Sequence, residues 1–189
     1  MSKPLIKKQY LYKPDKIPKN CHMENTRLLE IIKSAILLEL RGEAFYRKVA
    51  DSTENHGIKN IFDIMAKEEV LHAKILREKY TELTGKKRLS IDKLPADQDE
   101  SASKYVLSEA MKSQIAAAGF EAAAISAAID MESKAIKLYS ESSENAADIN
   151  EKKLFKWLAD WEKGHYKLLF ELDRELKERI WNDNQFWPF

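Results

Sequence analysis

Apolar residues recur three and four positions apart through most of this chain, the spacing of one face of an α-helix. The first run takes in Leu28, Leu29, Ile32, Ala35, Ile36, Ala44, Phe45 and Val49 and predicts a helix from about Asn25. A polar stretch from Asp51 to His56, closed by Gly57, marks its end as a turn. The second run, Ile58, Ile61, Phe62, Met65, Ile75, Leu76, Tyr80 and Leu83, stops at Gly85, a residue common just past helix ends. Residues 85–103 are largely polar, hold Pro95 and read as a long connection, with a short helix expected around Tyr105 to Ile115. A third helix is expected from about Gly119 to Glu144 and a fourth from about Ile149 to beyond Ile180. Five glycines and five prolines in 189 residues agree with long helices rather than strands.

The two halves repeat. Sliding the chain along itself by 93 positions superposes Ala35 on Ala128, Glu39 on Glu132, Tyr46 on Tyr139, Phe62 on Phe155, Glu69 on Glu162, His72 on His165 and Leu76 on Leu169. Each half is therefore expected to be a helical hairpin. Two hairpins joined by a long crossover make a four-helix bundle in which each covers the other's apolar face. The fold class expected is all-α, with the bundle over residues 24–183 and the crossover over about 85–117. A crossover of this length lets the helix after it run parallel to the one before it. Residues 1–23 read as a basic arm, because residues 1–20 hold six lysines against one acid and three of the five prolines. Residues 184–189, with Phe186, Trp187 and Phe189, read as an aromatic tail that packs on the bundle or on a second subunit.

Charge narrows the classes of function. With 32 Lys and Arg against 31 Asp and Glu there is no overall field to attract nucleic acid or an anionic membrane surface. No stretch approaches the roughly 18 to 20 apolar residues of a membrane span, and Leu5-Ile6 is too short to form the core of an export signal. One cysteine, Cys21, allows no internal disulfide and no four-cysteine metal site, and the expected setting is a reducing cytoplasm.

What remains is a set of acids and histidines in unusual places. Glu69-x-x-His72 and Glu162-x-x-His165 each put a carboxylate and an imidazole on one helix face. Alone, each pair is a weak signal. In an antiparallel hairpin, however, residues equidistant from the turn lie level, and Glu39 balances Glu69 and His72 about Asn55 while Glu132 balances Glu162 and His165 about Asp148. All six side chains then sit at one depth, roughly 23 Å from their turns at a rise of 1.5 Å per residue. They lie on or beside the apolar stripes, where ionisable groups are costly unless paired or bound to metal. Two divalent cations balance four carboxylates and two neutral imidazoles, so Glu39, Glu69, His72, Glu132, Glu162 and His165 are read as ligands of a binuclear site. Oxygen-rich donors with two histidines suit iron or manganese, and affinity alone does not exclude zinc.

A Glu from each of two helices with a Glu-x-x-His from each of the other two is the pattern of the ferritin-like di-iron carboxylate bundles. The chain resembles that superfamily over about residues 25–180. The runs from Glu39 to Tyr46, from Glu68 to His72 and from Asp130 to Tyr139 resemble the rubrerythrin group most. The resemblance implies two iron ions, with manganese or a mixed iron and zinc pair as alternatives, that reduce peroxide or react with dioxygen. It also implies a homodimer. Tyr46 and Tyr139, seven residues beyond Glu39 and Glu132, resemble tyrosines that hydrogen-bond the ligands in that group, and core packing is the competing role. There are two departures. No cysteine-ligated rubredoxin domain is present, so a peroxidase of this kind would take electrons from an external partner. Ala135, matched by Gly42, stands where that group places a further glutamate.

The functional expectation is therefore an oxidoreductase acting on peroxide, dioxygen or ferrous iron. An iron-binding or storage protein and a di-iron hydroxylase of an organic substrate remain alternatives with the same ligands. Glu43, Glu68 and Glu121 could approach the site but read as solvated or ion-paired, and His22 and His56 as bystanders. Phe155, Trp157 and Trp161 read as core or dimer contacts rather than an electron path.

Overall fold

The computed structural model describes residues 19–85, 87–92, 94–95 and 119–183. Four helices account for nearly all of them: α1 (Lys19–Ser52), α2 (His56–Thr84), α3 (Phe120–Glu144) and α4 (Ile149–Asp183). α1 begins six residues before the expected start at Asn25. The proposed N-terminal arm up to residue 18, the short helix around Tyr105 to Ile115 and the aromatic tail lie outside the described residues.

The two hairpin turns are built alike, 93 residues apart. Asn55 caps α2, its side chain accepting from the backbone N–H of Gly57 and Ile58 at 3.0 Å each. Asp148 caps α4 by accepting from Asn150 N and Glu151 N at 2.7 and 3.1 Å. Each satisfies amides that a helix start leaves without partners. Thr53 joins the first turn to the third helix, donating from Oγ1 to Glu121 at 2.9 Å. Gly85 ends α2 with φ −73°, so its place there does not depend on the left-handed conformation that glycine permits.

Two apolar clusters fill the bundle. One joins Val49 and Ala50 of α1 to Ile58, Phe62 and Met65 of α2, Ile125 and Ala128 of α3, and Leu169 and Leu172 of α4. The other joins Leu28 and Ile32 of α1 to Ile75 and Leu76 of α2, Ala135 and Tyr139 of α3, and Leu154, Phe155 and Leu158 of α4. The late part of α2 thus meets the late part of α3, and both meet the early parts of α1 and α4. α2 and α3 run in the same direction, as the long crossover implies, and each hairpin is antiparallel. Burial of a side chain such as Phe62 or Phe155 contributes on the order of 1.5–3 kcal/mol. The first part of the crossover is held on α4, where Leu89 O accepts from Asn150 Nδ2 at 2.8 Å and Pro95 O accepts from Trp157 Nε1 at 3.1 Å.

Candidate metal centre

Between the two apolar clusters lies a polar waist. α1 brings Glu39, α2 brings Glu69 and His72, α3 brings Glu132, and α4 brings Glu162 and His165. None of the six is more than 4% exposed. Their donor atoms form two groups, Glu39, Glu69, His72 and Glu162, and Glu69, Glu132, Glu162 and His165, each within 4.8 Å of one another. Glu69 and Glu162 belong to both.

The two imidazoles turn Nδ1 into the waist. His72 Nδ1 lies 3.1 Å from Glu162, 3.2 Å from Glu39 and 3.7 Å from Glu69. His165 Nδ1 lies 3.0 Å from Glu162, 3.4 Å from Glu132 and 3.8 Å from Glu69. Both tyrosines reach the site from the clusters on either side. Tyr46 donates to Glu132 at 2.5 Å and Tyr139 donates to Glu39. Each tyrosine crosses to the carboxylate of the opposite hairpin, and each is also a fully buried part of the core.

So many ionisable groups without water distort one another's protonation. Burial, with Glu39 and Glu162 nearby, holds Glu69 well above the usual carboxylate range. Burial and Glu162 push Glu132 up to about 8, against His165. Burial alone would lower both imidazoles, but Glu162 and Glu39 raise His72 to about 10, and Glu132, Glu162 and Glu68 raise His165 strongly. Burial would raise Glu162 as well, yet the two histidines hold it well below the usual range. Burial and the adjacent carboxylates raise both tyrosine hydroxyls, keeping them protonated as donors. Protons thus stand where positive charge is wanted.

Glu162 Oε1 is fully enclosed, and among the described residues its neighbour is His72 Nδ1 at 3.1 Å without hydrogen-bond geometry, an arrangement that a cation taking up that lone pair would improve. Each group offers three carboxylate oxygens and one imidazole nitrogen, a hard donor set that fits iron or manganese. The cluster could hold a pair of metal ions.

Beyond the six, Glu68 is a correction to the reading from sequence. It is buried, and its Oε2 lies 2.5 Å from His165 Nε2. Glu43 instead pairs with Arg47 at 3.5 Å and Glu121 accepts from Thr53, both away from the waist. Trp157 and Trp161 are more than general core. Both indoles stand at right angles to the His72 ring, with centroids 5.5 and 5.3 Å away. No spacing along α2 signals the Glu68 contact, because Glu68 meets a histidine of α4. A cavity of about 10 Å³, room for one water-sized molecule, touches Glu39, Glu69, Glu132 and Glu162 and is walled by Gly42 and Ala135.

The rubrerythrin family model matches residues 30–172 of the chain. No curated protein matches it. A solved structure of a hypothetical protein from Pyrococcus furiosus is similar, with 24% identity, a TM-score of 0.58, and coverage of 80% of this chain and 90% of that one. That likeness supports the fold.

Proposed function

The chain belongs to the rubrerythrin family of ferritin-like di-iron proteins, and on that premise we propose that it is a non-haem di-iron oxidoreductase. Glu39, Glu69, His72, Glu132, Glu162 and His165 hold two iron ions, and the protein reduces peroxide or reacts with dioxygen, drawing electrons from an external partner when it acts as a peroxidase. The observation that carries this reading is the pair of buried four-donor groups that share Glu69 and Glu162. The iron pair, when bound, supplies the two electrons that convert peroxide to water.

The rest is the work of the chain. Glu69 and Glu162 belong to both four-donor groups and would hold both ions. Tyr46 and Tyr139 hold Glu132 and Glu39 in one orientation each, so the outer carboxylates need not reorganise. The apolar clusters exclude bulk water on both sides. The cavity at the Gly42 and Ala135 side, with room for one water-sized molecule beside four of the carboxylates, supports approach of a small oxidant there. A homodimer in the cytoplasm belongs to the same reading, and sedimentation tests the oligomer.

Anaerobic loading with ferrous iron, followed by stopped-flow mixing with peroxide or with dioxygen, tests the activity. The expected result is two irons per chain and oxidation well above that of free ferrous iron with at least one oxidant. Equal sluggishness with both overturns the oxidoreductase reading, and retention of hundreds of irons per assembly replaces it with storage.

A further inference from the structure

The two histidines are alike toward the waist and unlike behind it. His165 Nε2 meets Glu68 Oε2 at 2.5 Å, an acceptor buried with it. Among the described residues His72 Nε2 is buried without a hydrogen-bond partner, and its ring is flanked by Trp157 and Trp161. Under the 93-residue shift Glu68 superposes on Trp161. Each of these residues backs the histidine of the other hairpin, so one repeat position carries a carboxylate in one half and an indole in the other.

That exchange has a chemical consequence. To ligate through Nδ1, a neutral imidazole must carry its proton on Nε2. At His165, Glu68 accepts a hydrogen bond from Nε2–H, which selects the tautomer, orients the ring and makes Nδ1 more basic. It also adds a negative charge close to the site, favouring a cation there. At His72 the same tautomer leaves a buried N–H with no acceptor among the described residues, and the indoles beside the ring are donors only. Ligation by His72 therefore begins from a less favourable arrangement, although the other donors are matched: each position has one outer glutamate, held by a tyrosine, and shares Glu69 and Glu162.

Resting on the reading of the six residues as ligands, we propose that Glu68 is a positioning residue that makes the two metal positions unequal. The position formed by Glu69, Glu132, Glu162 and His165 fills first and holds its ion more tightly. The position formed by Glu39, Glu69, Glu162 and His72 fills second and exchanges its ion more readily. The asymmetry is a property of the protein and does not depend on turnover.

The test is titration of the metal-free full-length chain with Co²⁺, followed by calorimetry and visible absorption. Two ions should bind in two resolved steps. Glu132→Ala should remove the first step and Glu39→Ala the second, which assigns them to positions. Glu68→Ala should weaken the first step about 10- to 100-fold while leaving the second within about threefold, and Glu68→Gln, which keeps an acceptor oxygen without the charge, should recover part of the loss. Far-UV circular dichroism and thermal unfolding of each metal-free variant separate this from misfolding; Glu68→Gln, nearly identical in shape, carries the test if Glu68→Ala does not fold. Two equal steps in the unmodified protein overturn the proposal and leave the two-ion reading intact. The same holds if Glu68 substitutions in a folded chain weaken both steps equally. Fewer than two ions per chain overturns both.

Discussion

Gly42 lies in the middle of α1, and an alanine there would place its Cβ 3.3 Å from Cγ and Cδ of Glu69 and 3.6 Å from its Oε1. Two effects oppose each other. Alanine is about 0.8–1.0 kcal/mol better than glycine inside a helix. Against that, contacts at 3.3 Å are tight, so Glu69 must yield by a few tenths of an ångström. The atoms touched are the end of a side chain whose imidazole neighbours lie 3.7 and 3.8 Å away, so in the metal-free protein it can move at small cost. The helix effect then wins, and Gly42→Ala should raise metal-free stability by up to about 1 kcal/mol, about 2–4 °C in Tm for a chain of this size. Metal binding should go the other way. Glu69 serves both four-donor groups, and metal–ligand distances tolerate only about 0.2 Å. Apparent affinity should fall about tenfold or more, and the added methyl should fill the small cavity beside Glu39 and slow reaction with peroxide beyond what lost loading explains. Thermal unfolding of the metal-free protein and Co²⁺ titration read the two effects separately. A variant that is less stable without metal yet binds metal like the unmodified protein refutes the reasoning, because the carboxylate would then not be what moves.

Further outcomes follow from the same geometry. Glu132→Ala should reduce bound metal from two ions per chain to one by elemental analysis; retention of two means that the ligand set is wrong. Tyr139→Phe removes the donor to Glu39 and should cost about 1–3 kcal/mol in metal-free stability by denaturant unfolding, and an unchanged midpoint would show that water replaces the hydroxyl. Asn55→Ala removes a cap that accepts two amides and should cost about 1 kcal/mol without altering metal affinity, since the cap lies at the turn. The pH dependence of the metal-free protein has a defined sign. His72, raised by Glu162 and Glu39 against burial, contributes stability that is complete below 6.5 and lost as pH rises through about 10. Glu132, raised by burial and Glu162, lowers stability as pH climbs from 4.5 to about 8. Tm of the metal-free protein should therefore fall between pH 6 and 9, while metal binding, which expels those protons, tightens over the same range.

The helices and the six converging residues were legible because they rest on periodicity and on distance from a turn. Asn55 and Asp148 were the points about which the ligands balanced, and both are the residues that cap α2 and α4. What lies behind the ligands was not legible in this way. Whether Glu68 faces solvent or His165 depends on how one hairpin is rotated against the other, and no spacing within a single helix fixes that rotation. The same holds for Trp157 and Trp161, whose helical spacing is satisfied by any apolar neighbour and so does not single out His72. The start of α1 at Lys19 escaped because residues 19–24 carry no apolar stripe to read.

The waist sets a problem for folding that the two tyrosines address. Four carboxylates and two imidazoles in the centre of a bundle would be unfavourable if the surrounding packing did not force them together. Tyr46 packs with Val49, Phe62 and Met65, and Tyr139 with Ile32, Leu76 and Phe155, so each ring is fixed by a different apolar cluster. Because each hydroxyl crosses to the outer glutamate of the opposite hairpin, the packed hairpins hold both outer carboxylates in place. The repeated pair Tyr46 and Tyr139 thus supports both positions equally, and it is at the unmatched pair, Glu68 and Trp161, that the two halves part. A duplicated hairpin supplies two four-donor groups by symmetry, and on the proposal above the carboxylate behind His165 and the indole behind His72 would give them different affinities without changing any donor.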